Sequence, residues 1–145
     1  MRPPPPIPQQ WTPLGRTYNT HYYLLSDDVL IVLPQQGLQD DGPSAKVNVE
    51  YQVAYARLLG RRCCVVIALD ALTSQDSEAR RIYAHGFQPA LFFAVALIVT
   101  TPLSRAIGSF FLGLTRLPVP TQLFESVEDA STWAATQRPP AGVRA

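Results

Sequence analysis

The residues able to do chemistry are few, and their spacing narrows what they can do. Cys63 and Cys64 are adjacent. Neighbours in a strand point to opposite faces, so the pair is poorly placed for a mutual disulfide, and zinc needs more ligands than two. They read as two small buried hydrophobes in a strand. His21 and His85 have no His-x-x-x-His, His-Glu-x-x-His or Cys-x-x-Cys partner, so no metal site is expected. Nucleophile elbows, Gly-rich phosphate loops and dinucleotide turns are also missing from the sequence. Two groups of small polar and acidic side chains remain. One is Asp70, Thr73, Ser74, Asp76, Ser77 and Glu78; the other is Thr100, Thr101 and Ser104. At helix N-termini such groups can hold a small polar ligand or a partner's polar surface, and the same residue types are the ordinary helix caps. Neither an enzyme nor a cofactor is expected.

The elements that must position these groups follow from hydrophobic spacing. Residues 18 to 25 and 29 to 33 are β-rich runs separated by Ser26, Asp27 and Asp28, which predicts an antiparallel hairpin. A polar loop over 35 to 43 leads to Ser44 as a cap. A helix follows whose apolar face is Val47, Tyr51, Ala54, Tyr55 and Leu58, with Gly60 as its stop. Residues 62 to 69 form a continuous apolar strand ending at Asp70. The second helix begins after Thr73 and Ser74, carries Ala79, Ile82 and Tyr83, and stops near Gly86. Residues 91 to 99 are the next strand. Thr101 and Pro102 start a third helix with Leu103, Ala106, Ile107, Phe110 and Leu114 on one face. A short strand over 121 to 124 and a helix capped by Ser126, with Ala130, Trp133 and Ala134 on one side, complete the chain. The order ββαβαβαβα predicts an α/β fold with a mixed, mostly parallel sheet and an antiparallel N-terminal hairpin. The two polar groups then fall at the carboxyl edge of the parallel strands, where open α/β sheets place ligands.

Composition bounds the class. The chain has 145 residues, 47% hydrophobic and 16% charged, which fits one folded domain. A net charge of +1 argues against a nucleic-acid partner, which calls for a basic face. Lys46 is the only lysine among 12 basic residues, an arginine bias that fits a high-GC bacterium. Residues 1 to 16 hold six of the 14 prolines and are expected to be a disordered proline-rich arm, with the domain over 17 to 138 and a flexible tail over 139 to 145. The start lacks the apolar stretch of a signal peptide, and the most apolar run, 90 to 99, is about half the roughly 20 residues that a membrane helix needs. No transmembrane segment and a cytoplasmic location are expected.

Three blocks, in this order, carry a resemblance. They are VVIALDALTSQDSEAR over 65 to 80, ALIVTTPLSRAIGSFFLGL over 96 to 114, and TQLFESVEDASTW over 121 to 133. Across about residues 18 to 137 the chain resembles SpoIIAA-like STAS proteins of the STAS/SEC14 type. The resemblance implies a STAS-like fold and a non-enzymatic bacterial regulatory domain that binds a partner protein; the alternative it implies is a small-molecule or lipid-binding module. Phosphorylatable members carry Asp-Ser-Ser-Gly in the turn, with phosphate on the second serine. Here the turn reads Asp76, Ser77, Glu78, Ala79. The acceptor position therefore holds a carboxylate, a fixed negative charge at a helix N-terminus, and Ser77 beside it is off register as an acceptor. Phe111, Leu112 and Leu117 lie off the main stripe of the third helix, and they are the residues expected to form a partner-docking or homodimer surface.

Overall fold

The computed structural model describes residues 7–140 of the chain. Six strands form the main sheet: β1 (Thr12–Arg16), β2 (Thr20–Ser26), β3 (Val29–Pro34), β5 (Cys63–Ala68), β7 (Phe92–Ile98) and β8 (Thr121–Phe124), in the order β1-β2-β3-β5-β7-β8. The first three pair antiparallel, and β3, β5, β7 and β8 run parallel. Two short strands, β4 (Leu38–Asp40) and β6 (Leu72–Gln75), form a separate parallel pair. The helices are α1 (Gly42–Leu59), α2 (Ser77–Gly86), α3 (Pro102–Leu114) and α4 (Val127–Gln137). The expected mixed, mostly parallel α/β architecture with its N-terminal hairpin is present.

Strand alternation divides the interior into two layers. Leu30, Val32, Cys63, Val65, Val95 and Leu97 pack with Ala45, Val49, Ala79, Tyr83 and Phe111 from α1, α2 and α3. Val29, Ile31, Cys64, Val66, Ala94 and Ala96 face the other way, against Ala130 and Ala134 of α4. The two cysteines thus lie in different layers, both free and buried. Alanines on both α4 and β7 let helix and sheet approach closely.

Five departures from the sequence reading have physical causes. Residues 12 to 16, expected within a disordered arm, are strand β1. Its register on β2 pairs Thr12 with Leu24 and Pro13 with Tyr23, and proline is tolerated there because β1 is an edge strand. Residues 1 to 6 of that arm, and residues 141 to 145 of the expected tail, lie outside the described residues. The polar loop contains β4, and the turn after Asp70 contains β6; strands of three and four residues are too short to show a period. Helix α1 begins at Gly42, capped by Asp41, whose Oδ1 accepts from the Ser44 amide at 3.0 Å. Its inner face is Ser44, Ala45, Asn48, Val49, Gln52 and Ala56, whereas Leu58 is 85% exposed. Helix α3 is also rotated from the expected stripe. Ser104, Gly108 and Phe111 face in, and Leu103, Phe110 and Leu114 are 50%, 57% and 61% exposed. Both helices turn polar side chains inward, Ser44, Asn48 and Gln52 on α1 and Ser104 on α3, so their most apolar stripe is not their inner one.

Candidate functional site

The turn entering α2 is held from two sides. Asp76 caps the helix, its Oδ1 accepting from the Ala79 amide at 2.8 Å, and its own amide donates to the Asp40 carbonyl at 3.0 Å. Thr73 Oγ1 lies 3.3 Å from the carbonyls of both Gly37 and Leu38 and donates to them across the β4–β6 pair. Glu78 packs its carboxylate against Gly42 in the first turn of α1, where a Cβ would collide with it. A carboxylate in that position lies near two helix N-termini, each stabilising it by about 0.3–1 kcal/mol. Ser74, Ser77 and Glu78 are exposed.

At the second turn, Asp70 and Thr100 bind each other. The Asp70 carboxylate accepts from the Thr100 amide at 2.8 Å and from its hydroxyl at 2.5 Å. Partial burial pushes the Asp70 carboxyl up, but hydrogen bonds from Ser104 and Thr100 outweigh it and hold the group below its ordinary value. Thr101 and Ser104 form a capping box for α3, with reciprocal bonds of 3.0 Å between each side chain and the other's amide. Asp76, Thr101 and Ser104 are therefore helix caps, and Thr73 and Thr100 have partners within the fold. Asp70 lines a pocket on the α4 side of the sheet, whereas Ser77 lines a groove between α2 and α3, so the two turns do not close around one ligand.

The groove of about 420 Å³ beside Ser77 is walled by Arg80, Arg81, Leu114 and Arg116. A hollow of about 200 Å³ adjoins Arg80, Ile107 and Phe110. The Arg80 guanidinium lies 5.0 Å from the Phe110 ring centre and donates to the Gln75 carbonyl at 3.0 Å. This surface is apolar along α3 and basic along α2. Phe111 is a core residue, 4% exposed, and meets Tyr83 edge-on at 6.2 Å. Leu117 is partly buried against the same core, and Leu112 is exposed at 37%.

Beneath the α2 turn lies a buried polar network. The Asp40 carboxylate accepts from the Tyr83 hydroxyl at 2.8 Å, Ser44 Oγ at 2.9 Å and Gln75 Nε2 at 3.0 Å. Asn19, Asn48, Tyr22 and Gln52 extend it through α1. Burial pushes the Asp40 carboxyl above its ordinary value against those three bonds. A cavity of about 30 Å³ adjoins Asp40, Gln52, Gln75 and Tyr83, room for about one water and too little for a lipid. The network joins α1 to β4, β6 and α2, and so positions the turn above it. Its trace in the sequence is Ser44, Asn48 and Gln52 at four-residue spacing, which reads equally well as a solvated face. Burial pushes both cysteine thiols up to about 12, so they are protonated and poor nucleophiles at neutral pH. No group of three or more His, Cys, Asp or Glu side chains suited to a metal occurs among the described residues.

A family model described as a domain of unknown function, DUF7793, matches residues 23–138. The chain belongs to this family. The match runs from within β2 to just past α4 and contains both turns and the buried network apart from Asn19 and Tyr22. Among solved structures, the anti-sigma factor antagonist SpoIIAA in its unphosphorylated form is similar, with a TM-score of 0.51 at 10% identity, covering 82% of this chain and 99% of SpoIIAA. This DUF7793 domain therefore has the STAS fold implied by its three sequence blocks. No curated protein matches the sequence.

Proposed function

We propose that this DUF7793 domain is a non-enzymatic bacterial regulatory module, acting in the cytoplasm, that binds a partner protein through the start of α2 and the outer face of α3. The observation that carries this reading is the exposed row Leu103, Phe110 and Leu114 beside Ser77 and Arg80. Three large apolar side chains on one helix face, rimmed by arginines, have the composition of an interface core and its rim. The rigid setting of the α2 turn supports the reading, because a preformed surface loses little entropy on binding. The fold likeness to an anti-sigma factor antagonist supports it as well. Thr73, Ser74, Asp76, Thr100, Thr101 and Ser104 contribute by shaping this edge, while Ser77 and Glu78 present their side chains on it; Asp70 faces the α4 side instead. No helix among the described residues is long and apolar enough to cross a membrane.

The test is native mass spectrometry of the protein purified from its own host, with wild type compared with Phe110→Asp and Ser77→Glu. The expected result is a co-purifying protein with wild type and its loss in both variants at unchanged melting temperature. Retention of the partner by both variants would refute this surface. Asp76→Lys is a poorer probe, since removing the cap alone costs about 0.5–2 kcal/mol. Leu112→Glu tests the homodimer form of the same idea, through a change from dimer to monomer in light scattering.

A further inference from the structure

The opposite layer of the sheet contains a site that the partner-binding reading does not use. A pocket of about 510 Å³ opens between the N-terminal segment and the start of α4, and its walls include Ile7, Trp11, Tyr23, Leu33 and Asp70. That volume is in the range of small-molecule sites, roughly 300–1,000 Å³. The pocket lies at the carboxyl ends of β3 and β5, where Leu33, Pro34 and Ala68 line it, the usual place for ligands in open α/β sheets. Trp11 is held over it by two constraints. Its amide donates to the Pro8 carbonyl at 3.1 Å, and the β1–β2 pairing begins at the next residue, Thr12. The Trp11 and Tyr23 rings are 6.1 Å apart and tilted by 50°, forming an aromatic corner rather than a closed stack.

Charge selects the ligand class. Among the described residues the lining includes no lysine or arginine, its one carboxylate is Asp70, and its one other titratable side chain able to carry a positive charge is the exposed His21. Thr100 holds that carboxylate with two hydrogen bonds, and Ser104 and the Thr101 amide add to them, so the carboxylate is fixed in place and keeps its charge at the pocket. An anion would meet the fixed negative charge of Asp70, with His21 as the only side chain among the described lining residues able to oppose it. A cation would meet that charge together with two aromatic rings in the lining, a residue type whose faces attract cations through their quadrupoles. We infer that this pocket binds a small organic cation with a flat apolar body, the body lying against Trp11 and Tyr23 and the charged group on Asp70.

The probe is 2-naphthylmethylammonium, with 2-naphthoate as its anionic counterpart of similar shape, titrated by calorimetry into the full-length protein. The inference expects saturable one-site binding of the ammonium compound and binding of the carboxylate weaker by at least about tenfold, the scale of one charge-assisted hydrogen bond. Asp70→Asn should weaken the ammonium compound by about the same factor, and Trp11→Ala should abolish its binding, whereas Phe110→Asp on the opposite layer should leave it unchanged. No saturable binding of the ammonium compound to wild type, or equal binding of the two probes, would overturn the inference, and neither result depends on a variant folding. A wild-type dimer that Trp11→Ala dissociates would also overturn it, by assigning the pocket to a second copy of the chain.

Discussion

The two layers of this sheet solve the same covering problem with unequal means. Six strands at about 4.8 Å spacing make a surface about 24 Å wide, and one helix with its side chains is only about 10 Å across. Three helices cover one face, and the cavity beneath them, about 30 Å³, adjoins Asp40, Gln52, Gln75 and Tyr83 among apolar side chains. On the other face α4 packs mainly over β5, β7 and β8. The remainder, over β2 and β3, is left to Trp11 and the segment before it, and a pocket of about 510 Å³ results. Covering by one helix thus leaves a pocket against the sheet itself, whereas on the three-helix face the open apolar surface lies on the outer side of α3.

The largest test of that contrast removes an aromatic side chain from each layer. Phe87 is fully buried between Tyr83 and Phe92, and Phe87→Ala should cost about 3–5 kcal/mol in urea unfolding. Trp11→Ala, over the open pocket, should cost only about 1 kcal/mol, the scale of one aromatic pair. Equal losses would break the comparison, since they would mean that the N-terminal segment closes its layer as firmly as three helices close theirs.

A smaller effect concerns how α4 is tied down. Arg138, just past its end, donates to both oxygens of Asp28 at 2.7 and 3.0 Å. Burial pushes the Asp28 carboxyl up, but hydrogen bonds from Arg138 and Ser26 outweigh it and hold it below its ordinary value. Because the guanidinium is partly exposed to solvent, Arg138→Ala should cost about 0.5 kcal/mol at neutral pH. A carboxyl lowered by folding stabilises above its unfolded value and loses that contribution as pH falls through its folded value. The gap between Arg138→Ala and wild type should therefore close below about pH 4.

The smallest net change, with the opposite sign in pH, belongs to the three-helix layer. Folding raises the Asp40 carboxyl, so its contribution is complete below the unfolded value and is lost as pH rises through the folded one. Asp40→Asn should match wild type near pH 4, because the Ser44 and Tyr83 hydroxyls can turn to accept from the new amide. It should then gain relative to wild type toward neutral pH. Urea midpoints for both proteins at several pH values check this; a constant difference would mean that Asp40 does not titrate in the folded range.

Much of the framework was legible because its signals are local. Thr101-Pro102 and Ser126 mark helix starts by side-chain geometry, adjacent Cys63 and Cys64 must face opposite ways in a strand, and the apolar runs of β5 and β7 are strands buried on both sides. The start of α3 follows β7 as its local signals require, whereas β6, paired with β4, intervenes between β5 and α2. The inner faces of α1 and α3 were not legible. Ser44, Asn48 and Gln52 are buried only because Asn19, Asp40 and Tyr22 come from elsewhere to bond the network they belong to, and Phe111 faces in because Gly108 lets α3 approach Val99 and Leu123.

The sequence by itself determined the four helices, the strands β2, β3, β5, β7 and β8 and the α/β class, since each depends on residues within a few positions of one another. Tertiary structure alone decided which side of α3 is free, that an edge strand holds Trp11 over the sheet, and that Asp70 lines a pocket away from Ser77. Those outcomes depend on which distant surfaces meet, and local spacing does not encode that.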